Sequence, residues 1–132
     1  MSPDWQVRQR VNRVLAHRPS LNLDEWFERF YQRQGIAYPI AQFVYTRLSH
    51  YSGLEFGCVL PSDRLTEDLK WSRVCWFDWD LCFCDDFYGQ FQVDISDHLD
   101  ELPTLTVEEL ICLLDRSLNA EKSWDQTQKK LT

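Results

Sequence analysis

Apolar residues recur at helical spacing along most of the chain, and each run is bounded by residues that start or stop helices. Val7, Val11, Val14 and Leu15 form a narrow stripe. Ser2-Pro3-Asp4 precedes it as a capping start and Pro19 follows it, so the spacing predicts a short first helix. A helix of that length is marginal alone in water and is expected to dock as an N-terminal arm. Asn22 and Glu25 have the spacing of a capping box ahead of Trp26, Phe27, Phe30 and Tyr31, and Gly35 closes this second helix. Pro39 opens a third helix, whose apolar face Ile40, Phe43, Val44 and Leu48 runs towards Tyr51 before Ser52-Gly53 stops it.

Leu54 to Leu60 alternates weakly, but no partner strand is evident, so an extended loop is expected. Residues 62–69 continue as a loop ending in a turn. The most apolar helix is predicted near residues 72–88. At about 100° per residue, Trp76, Trp79, Phe83 and Phe87 share one face, and Val74, Phe77, Leu81, Cys84 and Tyr88 share another. Asp78, Asp85 and Asp86 occupy the remaining polar strip with Cys75 and Cys82. Such a helix is either buried on most sides or leaves an aromatic face for a partner. After Gly89, Phe91 to Asp97 alternates briefly, an acidic stretch runs to Glu101, and Pro103 interrupts it. Thr106 and Glu109 form a second capping box for a final helix with the stripe Val107, Leu110, Ile111, Leu114 and Leu118. Beyond Asn119 a polar tail is expected to fray, with Trp124 available to tack it down.

With 132 residues, 44% of them hydrophobic and only four glycines, the chain has the apolar content for one real core, not two. The apolar runs are too short to cross a membrane, and residues 1–10 lack the stretch a signal peptide needs. A soluble cytoplasmic protein is expected. Charge divides the chain: seven basic residues face four acidic ones in residues 1–50, and seven face seventeen in residues 51–132. Arg8, Arg10, Arg13 and Arg18 could attract an anionic partner, or cover the acidic body of the same chain or of a second copy in a homodimer. The acidic remainder would repel a nucleic-acid backbone, which makes nucleic acid an unpromising partner.

Five cysteines without a CxxC pair or a nearby His cluster argue against zinc and for reduced core thiols. His17, His50 and His98 are widely separated and support no hydrolase triad. Asp78, Asp85 and Asp86 lack the ligand-dense loop that calcium needs, and no phosphate-cradling glycine motif occurs.

The order from Pro39 to Leu118 is a long helix, a long loop, Leu65-Thr66-Glu67-Asp68-Leu69, an acidic helix, Phe91 to Asp97, a short helix, and a helix opened by Thr106 to Leu110. It resembles the acyl carrier protein family. The resemblance implies an all-α, acyl carrier protein-like helical bundle at 39–118, preceded by an N-terminal helical extension at 1–38 and followed by a polar C-terminal tail at 119–132. In that family a serine within Asp-Ser-Leu carries 4'-phosphopantetheine. Here the corresponding position falls on Arg73 or, in another register, Phe77. The nearest hydroxyl is Ser72, which reads equally well as a helix N-cap. The resemblance also implies that the acidic second helix docks on basic partner surfaces. The resulting expectation is a non-catalytic interaction or adaptor module, without a cofactor, binding a basic protein partner through Trp71, Trp76, Asp78, Trp79, Asp85 and Asp86. The alternative is an acyl or peptidyl carrier modified at Ser72.

Overall fold

Asp4 opens the first helix, α1 (Trp5–Leu15), and its carboxylate accepts hydrogen bonds from the Gln6 and Val7 amides. This computed structural model describes the backbone of residues 3–131 and the side chains of residues 3–120; Ser2, expected as part of that start, lies outside the described residues. Five more α-helices follow: α2 (Leu23–Phe30), α3 (Tyr38–Ser52), α4 (Trp71–Val74), α5 (Trp79–Phe91) and α6 (Val107–Leu131). Single 3-10 turns sit at Gln32–Gln34, Phe56–Cys58, Ser96–His98 and Leu102–Thr104. No strand forms among the described residues, where an isolated antiparallel bridge joins Arg64 to Thr106.

Both expected capping boxes are present. Asn22 and Glu25 exchange side-chain-to-amide hydrogen bonds at the start of α2, and Thr106 and Glu109 do so at the start of α6. Each satisfies two amides that a helix start leaves without partners. Pro39 lies in the first turn of α3, and Gly53 ends that helix at φ 69°, a left-handed conformation that glycine adopts without a Cβ clash. The final helix continues to Leu131, through the segment expected to fray. The expected role of Trp124 lies outside the described side chains.

The core centres on α3. Ile40, Ala41, Phe43, Val44 and Leu48 are buried, facing Trp79, Phe83 and Phe87 of α5 and Val107, Leu110, Ile111 and Leu114 of α6 in the same cluster. Phe43 meets Phe83 and Phe87 with ring centroids 5.4 Å from each. Burial of each such aromatic is worth about 1.5–3 kcal/mol. The α1 stripe enters this cluster through Val7, Val11 and Leu15, while Val14 stays exposed. From α2, Trp26 is fully buried and donates through Nε1 to the Val59 carbonyl at 2.9 Å. The loop after α3 passes close beneath the segment before α2. A Cβ on Gly57 would stand 2.2 Å from the Leu21 carbonyl oxygen, so only glycine lets the backbones meet there.

Four long-range hydrogen bonds fix the ends of elements. Asp115 of α6 is buried and accepts the amide of Ala37, the residue before α3, at 3.1 Å, which ties the start of α3 to α6. Arg8 of α1 donates through Nε to the Val74 carbonyl at 2.7 Å and through Nη2 to the Tyr51 carbonyl at 3.1 Å. The Asp4 amide donates to the Arg73 carbonyl at 2.8 Å. Thus α1 satisfies the last carbonyls of α4, and the chain leaves that helix at Cys75 in an extended conformation, φ −110° and ψ 164°. The helix expected near 72–88 is therefore two helices with a break at Cys75–Asp78. No glycine or proline marks it; the competition from α1 for these carbonyls does.

Candidate interaction surface

The break redirects the aromatic run. Trp71 in α4 is fully buried, with its ring edge-on to Phe56 and Trp79. Trp79, Phe83 and Phe87 also turn inward, whereas Trp76 and Phe77, in the segment between α4 and α5, turn outward. Trp76 is 55% exposed, Phe77 75%, Leu81 54% and Tyr88 53%. Leu81 and Tyr88 are seven residues apart and so occupy one face of α5. Four of the large apolar side chains left in water thus fall within residues 76–88. Several large apolar side chains exposed within one short segment mark interaction surfaces more often than isolated surface residues do.

Acidic groups border this surface. Asp85, exposed, is four residues from Leu81 on α5; Asp78 and Asp80 are half-buried at its N-terminal end. The Asp80 carboxylate accepts the Leu81 amide at 2.9 Å. Asp86, expected at the partner surface, is half-buried and engaged within the fold. It accepts the Tyr51 hydroxyl and lies 3.8 Å from Arg47, both on α3. Burial and the hydrogen bond to Asp86 push the Tyr51 hydroxyl well above its ordinary pKa, so Tyr51 stays a donor.

Three expectations need correction on these grounds. Trp71 and Trp79 are core residues, because α4 and the inner face of α5 pack them against Phe56 and Phe83. Asp86 is an internal partner of Tyr51 and Arg47. Trp76, Asp78 and Asp85 remain at the surface, joined by Phe77, Leu81 and Tyr88. The signal for the added residues was the second apolar face, since a helix packed on one side of a small core cannot bury both.

Ser72 is exposed in α4, and its hydroxyl makes no hydrogen bond among the described residues. It is not a helix cap: that position belongs to Lys70, which makes no side-chain capping bond. Space for a covalent group exists at Ser72. The buried Trp71 precedes it and the exposed Arg73 follows.

The five cysteines are free thiols, with Cys58, Cys75 and Cys84 buried and Cys82 exposed. Among the described residues no three His, Cys, Asp or Glu side chains converge as metal ligands, and no helix is long and apolar enough to cross a membrane. Comparison with protein-family models, curated proteins and solved structures finds no match to this chain.

Proposed function

We propose that this protein is a non-catalytic interaction module, an acyl carrier protein-like bundle with an N-terminal helical extension, that docks a basic amphipathic segment of a protein partner. Exposure of Trp76, Phe77, Leu81 and Tyr88 beside Asp78, Asp80 and Asp85 carries the reading. Large apolar groups supply contact area, and the neighbouring carboxylates select a cationic partner and speed its capture. The order α3, long connection, α4–α5, 3-10 turns and α6 supports the carrier-like part of the reading.

A designed helical peptide with leucine and lysine at i, i+3 and i+4 spacing tests the surface directly. The full chain should bind it at low salt and lose affinity as salt rises. Phe77→Asp with Leu81→Asp should weaken binding by at least about 30-fold, the equivalent of about 2 kcal/mol, while Asp78→Lys with Asp85→Lys should remove the salt dependence. Equal binding by wild type and both variants, or no binding by wild type, would overturn the proposal.

A further inference from the structure

A second concave surface lies away from the α5 face, between α1 and the turn that enters α4. Its cavity of about 240 Å³ is lined by Val7, Val11, Val14, Leu15 and Leu69, with Arg10, Arg18, Lys70 and Arg73 around them. That volume falls just below the ~300 Å³ at which ordinary ligand pockets begin, so it suits a small molecule and not a polypeptide segment. The apolar lining comes largely from the α1 stripe. Val14 is the one residue of that stripe still 61% exposed, and the cavity accounts for its place in the pattern.

The charges are arranged unequally. Two acids also line the cavity: Asp63 is paired with Arg18 at its edge, and Asp68 accepts the Arg64 amide at 2.8 Å and keeps its charge, so four cations stand against two carboxylates. Arg10, Lys70 and Arg73 make no ion pair among the described residues. Lys70 also has a left-handed backbone, φ 54° and ψ 44°, which a side chain with a Cβ rarely adopts. Such conformations persist where surrounding structure imposes them, and they cluster at ligand clamps. The four N-terminal arginines of the sequence thus divide by role. Arg8 and Arg18 fasten α1 to the body, Arg10 stands at the cavity, and Arg13 is exposed without lining it.

We infer that this groove binds a compact apolar molecule bearing a single anionic head, the apolar part lying on Val11, Val14 and Leu69 and the head among Arg10, Lys70 and Arg73. The inference is independent of the α5 surface. An apolar lining without cations would favour a neutral ligand, and cations without that lining would favour a free inorganic anion; the combination selects both properties at once.

Octanoate and octyl phosphate are suitable probes, titrated into the full-length protein and followed through its amide NMR shifts. At least one should bind saturably, with the largest shifts at Val11, Val14, Leu69 and Lys70. Octanol, octylamine and inorganic phosphate should each bind at least about tenfold more weakly. Lys70→Gly combined with Arg73→Gln should lower affinity for the anionic probes by about tenfold or more, and glycine at position 70 relieves the left-handed backbone, which protects the fold. Val14→Trp, at an exposed position, should fill the groove and abolish binding. Equal affinity for octanol or octylamine, shifts centred on Leu81 and Tyr88, unchanged affinity in the charge variant, or no saturable binding of either anionic probe would overturn the inference.

Discussion

Arg18 holds Asp63 through both ends of its guanidinium, Nη1 to Oδ2 at 2.6 Å and Nη2 to Oδ1 at 3.2 Å. The pair joins three segments. Arg18 also donates to the Cys58 carbonyl at 3.2 Å, Asp63 accepts the Leu60 amide at 2.8 Å, and the Asp63 backbone carbonyl accepts the Val107 amide at 2.9 Å. The end of α1, the loop after α3 and the start of α6 therefore meet at one residue, Asp63. Asp63 is 5% exposed, so removing its partner leaves a buried charge. Arg18→Ala is expected to cost about 2–3 kcal/mol, less than the ~3–5 kcal/mol of a fully buried pair because Arg18 is partly solvated. A urea midpoint measurement would check this, and a loss under about 0.5 kcal/mol would show that water replaces the guanidinium without penalty.

Trp71, ahead of the helix break, and Trp76, within it, should separate stability from binding. Trp71→Ala removes a fully buried ring and is expected to destabilise the fold by about 3–5 kcal/mol. Trp76→Ala, at the surface, should change stability by less than about 0.5 kcal/mol yet weaken binding of the leucine-lysine peptide. Thermal melts and peptide titrations of both variants would expose any reversal of these roles.

Acid should act on the start of α6 through Glu109. Hydrogen bonds from Thr106, the backbone amide foremost, hold the Glu109 carboxyl below its ordinary 4.5. A depressed folded-state value means that the stabilisation is present above about pH 4.5 and is lost as pH falls through that lower value. Glu109→Gln carries no such titration. The stability difference between wild type and this variant should favour wild type at neutral pH and shrink on acidification; a difference that stays constant from pH 6 to pH 2 would rule out this linkage.

The intact mass of the protein should be unchanged after incubation with coenzyme A and a broad-specificity phosphopantetheinyl transferase. Ser72 is accessible, so steric protection is not the reason; its neighbours are the wrong ones for the transfer. A gain of one phosphopantetheine that disappears in Ser72→Ala would turn the interaction module into an active carrier.

Thiol reactivity should follow burial. Burial pushes the Cys75 thiol up to about 12 and Cys84 up to about 11; desolvation and the aspartates around it raise Cys82 too, but Cys82 stands exposed on α5. Alkylation of the native protein near pH 8 is expected to reach Cys82 first, read by peptide mapping. Equally rapid modification of Cys75 would mean that the α4–α5 break opens readily.

Much of the helical order was legible from local signals, because Asn22 with Glu25, Thr106 with Glu109, Pro39 and Gly53 act on backbone groups within a few residues. The break at Cys75–Asp78 was not. It depends on Asp4 and Arg8 reaching carbonyls about seventy residues away, and the local pattern there is continuously apolar. This one event moved Trp76 out of the face it shares by periodicity with Trp79. Trp76, Asp78 and Asp85 stay at the surface, and Phe77, Leu81 and Tyr88, grouped by periodicity on a second face, join them there. Asp86 was misread on similar grounds, since a helical projection shows which residues are polar but not that Tyr51 stands opposite.

The bond from the Ala37 amide to Asp115 has a further consequence for how the chain assembles. The two residues are 78 positions apart, so the Ala37 amide gains this partner only once the segment containing α6 has been made and brought back. Exchange of the single amide hydrogen at Ala37 therefore reads whether the last helix is docked against the start of α3.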